Sequence, residues 1–157
     1  MHAQEEAPPA IVCDMTSAPD TGDGRLAEYA RLFDAAFVSR ERTTDCVSWR
    51  LRADAGIEEW SRDLADREMA CCAFMTITVT VVGEHVVWDA TTIDDPTARS
   101  VLDLYYDLPQ SRHADVESLR ERFDATGIPI VIKEGSVTRA ATPAEIRHGR
   151  SPRGDHP

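Results

Sequence analysis

The fold of this chain depends on one stretch, Glu68-Met69-Ala70-Cys71-Cys72-Ala73-Phe74, in which an amphipathic helix runs into a β-strand. Before this stretch, Ile57, Trp60 and Leu64 recur at spacings of three and four, which is the period of one helix face. After it, the run Thr76 to Val81 alternates threonine with apolar residues, which predicts a strand with one buried face. The two adjacent cysteines therefore lie at a helix end, one turn after Glu68.

The composition indicates an ordinary single globular domain of 157 residues, with 42% hydrophobic and 29% charged residues. The 17 basic and 28 acidic residues give a net charge of −11, which argues against binding nucleic acid or an anionic membrane surface. A small molecule or a metal ion fits this charge better as a partner. No apolar run approaches the roughly 18 to 20 residues of a membrane span, and the N-terminus does not read as a signal peptide, so we expect a cytoplasmic protein.

Working outward from the central stretch, the pattern predicts a short strand over 10–15, a helix from Arg25 to about Ser39, a charged connection over 40–45 and a strand over 46–52. Gly83-Glu84 is a connection typical of a hairpin between Met75 and Thr92. The sequence Asp94-Asp95-Pro96 predicts the start of a helix, and a further helix over 114–126 precedes a strand over 128–133.

These elements predict an α+β fold in a single domain, in the order β-α-β-α-β-β-α-α-β, with helices on one face of a mixed or mainly antiparallel sheet. The domain is expected to span residues 10–138. Residues 1–9 are expected to be disordered, and residues 139–157 to form a disordered basic tail.

Four cysteines are too few for a disulfide scaffold, so they are better interpreted as thiols, metal ligands or core residues. Thiolates favour soft ions such as Zn, Cu, Hg or As, and Cys13 is the natural third thiol beside Cys71 and Cys72. Glu68 is a candidate metal ligand, a candidate general acid or base, or an ion-pair partner of Arg25 or Arg50. Against these roles, a cysteine often acts as a small buried hydrophobe.

The chain resembles a family of small, uncharacterised bacterial proteins with an N-terminal strand cysteine, then an arginine-led helix, and later a Glu-x-x-Cys-Cys-x-Phe helix end before a Thr-rich strand. The matching segments are Ile11 to Cys13, Arg25 to Glu28, and Glu68 to Phe74 with Thr76 to Thr80. The resemblance covers about residues 10 to 108. It implies that Cys13, Glu68, Cys71 and Cys72 form one cluster that binds a soft metal or contains a reactive thiol. Cys46 lies outside this pattern.

Three functions compete at this point. The first is a cytoplasmic thiol protein that binds a soft metal or metalloid ion through Cys13, Cys71 and Cys72, with Glu68 as a ligand or an orienting group. The second is a small enzyme with Glu68 as acid or base and a cysteine thiolate, Cys71, as nucleophile on a small molecule. The third is a non-catalytic interaction module, such as a homodimer, whose cysteines only fill the core. No cofactor other than a soft metal ion is expected.

Overall fold

The computed structural model describes residues 11–111 and 116–149. In chain order its elements are β1 (Cys13–Asp14), α1 (Gly22–Ala36), β2 (Phe37–Arg42), β3 (Cys46–Arg52), α2 (Ile57–Cys71), β4 (Met75–Val82), β5 (His85–Thr92), α3 (Pro96–Asp107), α4 (Val116–Ala125), β6 (Ile130–Glu134), β7 (Val137–Ala140) and α5 (Pro143–His148). The α+β class and the predicted order of elements are confirmed. Three further elements, β2, β7 and α5, were not predicted.

The larger sheet has four antiparallel strands in the order β2-β3-β5-β4. Its register places Trp49 opposite Trp88, and Trp88 opposite Val79, so that one row of side chains crosses three strands on one face. Gly83, with φ of 62°, turns the chain between β4 and β5, which pair along their whole length. The predicted hairpin is therefore confirmed.

The core lies between this sheet and the helices α1, α2 and α3, which contact one face of it. Trp49 and Trp88 stack with ring centroids 4.0 Å apart, and Phe33 of α1 meets Trp49 edge to face at 4.7 Å. The indole N–H of Trp49 donates to the carbonyl of Tyr105, which ties β3 to α3. On the other face, Thr76, Thr78 and Thr80 are exposed, so the described helices cover one side of the sheet.

A second, three-stranded sheet has the order β1-β6-β7. The short strand β1 runs parallel to β6, with Cys13 opposite Ile130, and β6 pairs antiparallel with β7. The amide of Cys13 donates to the carbonyl of Pro129 at 2.9 Å, and the amide of Met15 donates to that of Val131 at 3.0 Å. These bonds fix Cys13 although β1 is only two residues long.

The first helix ends at Ala36, and residues 37–42 form an edge strand. Two predictions are therefore wrong in part: the helix does not reach Ser39, and the first half of the segment predicted as a charged connection is a strand. Phe37 continues the helical spacing of the apolar residues, which hid the boundary. The charged side chains of the strand are accommodated by α3, since Arg40 lies 4.0 Å from the ring centre of Tyr106 and Arg42 pairs with Asp103 at 3.1 Å.

The disordered tail predicted over 139–157 is wrong for residues 139–149, which contain the end of β7 and the helix α5. Thr142 and Glu145 form a capping box at the start of α5, with Pro143 in its first turn. Arg139 pairs with both Glu134 and Glu145, which joins β7 to the helix. The predictions for residues 1–9 and 150–157 lie outside the described residues.

Candidate thiol site

Three of the four cysteines line one cavity. Cys13 lies in β1, Cys71 is the last residue of α2, and Cys72 is its C-terminal cap, whose amide donates to the carbonyl of Glu68 at 2.8 Å. The sulfurs of Cys13 and Cys72 are 2.8 Å apart, although 59 positions separate them in the chain. Cys46, in contrast, is in β3 on the opposite, open face of the sheet, beside Thr91. The structure thus brings Cys13 and Cys72 together and leaves Cys46 apart.

The third thiol has a different partner. An Nη1–H of Arg25 donates to the sulfur of Cys71 at 3.5 Å. Cys71 and Cys72 are both buried in the core cluster, while Cys13 is half-buried. Within residues 11–111 and 116–149, no set of three or more His, Cys, Asp or Glu side chains is arranged to hold a metal ion.

Arg25 is the charged centre of the site and is 6% exposed. Its guanidinium forms a two-point contact with Asp20, at 2.6 and 3.0 Å, and reaches Glu68 at 2.9 Å. Burial by itself lowers the pKa of Arg25, but the hydrogen bond to Asp20 and the charge of Glu68 outweigh it, so the net pKa lies above its ordinary value. The guanidinium therefore stays charged beside the thiols.

Glu68 is buried at 5% exposure and is held from two sides. It accepts from Arg25 on one oxygen and from the hydroxyl of Tyr105 on the other. Burial first, and then the charge of Glu68, raise the pKa of Tyr105, so this hydroxyl remains a donor. Of the roles considered for Glu68 from the sequence, the structure shows the ion pair with Arg25 rather than with Arg50.

A second set of ion pairs supports the first from the solvent side. Arg67 of α2 contacts Asp20 at 2.8 Å and Glu28 of α1 at 2.6 Å. The indole N–H of Trp60 also donates to Glu28, at 2.7 Å. Together these contacts join α1, α2 and the loop before α1, and thereby fix the position of Arg25.

Of the thiols beside this network, Cys71 and Cys72 are held in their neutral form. The hydrogen bond with Cys13, followed by burial, raises the pKa of Cys72 well above its ordinary value. Burial also raises the pKa of Cys71, and Arg25 offsets only part of that increase. Cys71 is therefore the thiol whose anion has the nearest positive charge, whereas the anion of Cys72 has a neighbouring thiol instead.

The cavity that borders the thiols has a volume of about 60 Å³ and an almost wholly apolar surface. Its apolar side chains come from five parts of the chain and are Met15, Leu26, Leu108, Ile130 and Ile146. Tyr29 also lines it, and the buried hydroxyl of Tyr29 has no hydrogen-bond partner in the part of the chain that the structure describes. The cavity can therefore take a small apolar group next to the sulfurs.

The sequence interpretation did not assign Asp20, Tyr29, Arg67 or Tyr105 to the site. Tyr29 and Tyr105 fit the apolar helical spacing of α1 and α3, and both are buried. A signal was present, because a buried tyrosine usually places its hydroxyl against a polar partner. Asp20 was only a turn residue in the sequence, and no local pattern connects it with Arg25.

Comparisons of the chain with protein-family models, curated proteins and solved structures give no match. In the described part of the chain, none of the helices has both the length and the apolar character needed to cross a membrane. The homodimer and the lack of a nucleic-acid partner stay predictions.

Proposed function

We propose that this is a cytoplasmic thiol protein that binds a soft metal or metalloid ion through Cys13 and Cys72, with Cys71 close by as a further thiol. The observation that carries the proposal is the 2.8 Å contact between the sulfurs of Cys13 and Cys72 at the wall of a cavity. Sulfur ligands suit soft ions, and two converging thiols bind such an ion more strongly than either thiol alone.

Binding requires only a small movement of the two sulfurs. Ligands about 2.3 Å from a tetrahedral ion are about 3.8 Å from each other, so the pair must separate by about 1 Å. Cys72 lies just beyond the end of α2, and Cys13 is in a strand of two residues. Hydrogen bonds to Pro129 and Glu68 hold the two backbones, so rotation of the two side chains must supply this separation.

Glu68 acts in this proposal as a positioning residue. Its side chain is already engaged by Arg25 and Tyr105, and its backbone carbonyl accepts the amide of Cys72. It thus fixes both the guanidinium and the cysteine that follows the helix. Groups that orient metal ligands in this way strongly affect affinity.

The second candidate is a small enzyme that uses Cys71 as a nucleophile, and the contact from Arg25 to the sulfur of Cys71 favours it. A neighbouring guanidinium stabilises a thiolate, which is the reactive form of cysteine, and here Arg25 offsets part of the rise in the pKa of Cys71 that burial causes. This candidate predicts that Cys71 is alkylated much faster than the other cysteines at neutral pH. Alkylation with iodoacetamide followed by peptide mapping measures the four rates separately.

The test of the first candidate is native mass spectrometry of protein purified under anaerobic conditions without chelator, followed by titration with Zn(II), Cu(I), Hg(II) and As(III). We expect one ion to bind per chain and binding to be lost in Cys13→Ser and in Cys72→Ser. Cys46→Ser is the matched control, because its thiol lies on the open face of the sheet. Failure of all four ions to bind, or equal loss in the control, would refute the proposal.

A further inference from the structure

We infer that the ligand of the thiol pair is a trivalent arsenical with one small apolar substituent, R–As(OH)₂, which Cys13 and Cys72 bind as a dithiolate; this inference rests on the proposed function. The structure supports it through the number of thiols in contact, the size and lining of the cavity, and the charge of the surrounding side chains.

The number of converging thiols is two rather than three. Cys13 and Cys72 contact each other, whereas the sulfur of Cys71 accepts a hydrogen bond from Arg25. The described residues contain no set of three ligand side chains arranged around one point. A trivalent arsenic atom bound to two protein sulfurs keeps its third bond for a group of its own, and that group must occupy the cavity.

The lining and the volume of the cavity restrict the third substituent of the arsenic atom. The cavity surface is almost wholly apolar, so a hydroxyl there would lose most of its hydration, and the hydroxyl of Tyr29 in the wall, unpartnered among the described residues, could replace only one of the lost hydrogen bonds. Its volume of about 60 Å³ is well below the roughly 150 Å³ of a protein cavity that accepts benzene. The third substituent is therefore apolar and nearer to a methyl group than to a phenyl ring.

Charge favours a ligand that leaves the site neutral. The network contains the carboxylates of Asp20, Glu28 and Glu68 against the guanidinium groups of Arg25 and Arg67. This buried and half-buried set already carries one excess negative charge, so an added thiolate anion would be unfavourable. A neutral dithiolate of arsenic adds no charge.

The binding step is a condensation and needs no oxidant or reductant. Two As–O bonds break and two As–S bonds form, and each thiol proton leaves with one hydroxyl group as water. The arsenic remains trivalent, and the products are one protein-bound R–As(S–Cys)₂ group and two molecules of water. One hydrogen bond already joins the two thiols, which places both on the same side of the cavity.

The test compares three probes on the reduced full-length chain by native mass spectrometry and calorimetry: arsenite, monomethylarsonous acid and phenylarsine oxide. We expect the methyl compound to bind at least about tenfold more tightly than the phenyl compound, which is the order of discrimination that a small apolar pocket achieves. The adduct should be one CH₃As unit in place of two hydrogens. Cys13→Ser should abolish it, and Cys46→Ser and Cys71→Ser should retain it.

Ile146→Ala widens the cavity from the side of α5, where the half-buried Ile146 side chain lies close to Gly22. We expect this variant to reduce the preference for methyl over phenyl, whereas the exposed control Val137→Ala should leave it unchanged. Circular dichroism of each variant checks that the fold is retained.

The outcomes separate the two proposals. If none of the arsenicals and none of the soft metal ions binds, the proposed function fails and this inference fails with it. If soft ions bind through Cys13 and Cys72 but methyl and phenyl arsenicals bind equally well, only this inference fails. It also fails if Cys71→Ser abolishes binding while the variant remains folded, since the site would then use three thiols.

Discussion

Replacement of Glu68 by alanine should destabilise the protein strongly, because it removes one member of a buried ion pair. Arg25 would keep its two contacts with Asp20 but lose the carboxylate at 2.9 Å, while remaining almost fully buried. Breaking such a pair typically costs about 3 to 5 kcal/mol, and the remaining contact with Asp20 favours the lower end of that range. The hydroxyl of Tyr105 would also lose this acceptor, which adds about 1 kcal/mol.

We therefore expect Glu68→Ala to lower the free energy of unfolding by about 3 to 4 kcal/mol. Glu68→Gln should cost about half as much, because the amide keeps the shape of the side chain and one acceptor oxygen while losing the charge. The matched control is Glu59→Ala, an exposed carboxylate of the same helix, for which we expect a change within about 0.5 kcal/mol.

The assay is urea unfolding of the reduced protein, followed by the fluorescence of the buried tryptophans Trp49 and Trp88. A double-mutant cycle with Tyr105→Phe isolates the contribution of the hydroxyl group. Tyr105→Phe should cost about 1 kcal/mol in the wild type and close to nothing in Glu68→Ala. The reasoning is refuted if Glu68→Ala costs less than about 1 kcal/mol with an unchanged dependence on urea.

Three further predictions concern the rest of the molecule. Trp88→Ala should cost about 3 to 5 kcal/mol in the same urea assay, since it removes a fully buried ring from the central stack; a cost below about 1 kcal/mol would contradict the described packing. Tyr29→Phe should be neutral or stabilising by about 1 kcal/mol, because it removes a buried hydroxyl without a hydrogen-bond partner in the described structure, and a clear loss of stability would reveal a partner for that hydroxyl. Acid should destabilise the protein below about pH 4. Burial raises the pKa of Asp20, but Arg25 and Arg67 lower it by more, and Arg67 lowers the pKa of Glu28, so both carboxyl groups have lowered pKa values in the folded state. The stability that these carboxylates contribute is present above their unfolded-state pKa values and is lost as the pH falls through the lowered folded-state values. Unfolding measured at pH 7 and pH 3 should show a smaller acid loss in Arg67→Met than in the wild type, and equal losses would contradict this origin.

Most of the secondary structure was predictable because its signals are local. The hairpin of β4 and β5 follows from alternating residues around Gly83, and α3 begins where Asp95 caps it by accepting from the amides of Thr97 and Ala98. The strand β2 was missed because Phe37 fits the helical spacing of the residues before it, and only pairing with β3 makes the segment extended. The helix α5 was missed, although the sequence contains its capping box at Thr142, because the surrounding residues have the composition of a disordered tail.

The candidate site was predictable in its members but not in its arrangement. Glu68 and the adjacent cysteines were singled out because they stand together at the end of one helix. Their partners come from other elements, so that neither the contact of Arg25 with Cys71 nor that of Tyr105 with Glu68 has any local signature. The spacing of Glu68 from the apolar residues of α2 places its side chain on one helix face. Whether that side chain contacts solvent or a guanidinium group depends on the packing of other elements against α2.

The sequence alone determined the amphipathic helix α2, its passage into β4 and the position of Cys71 and Cys72 at that junction, because helical and strand periodicity relate residues only a few positions apart. The tertiary structure alone decided that Cys13 meets Cys72, 59 positions away. That contact requires β1 to pair in parallel with β6, near the opposite end of the chain, and α2 to pack beside it. Such pairings depend on the free energy of the whole fold, and no short-range pattern of residues encodes them.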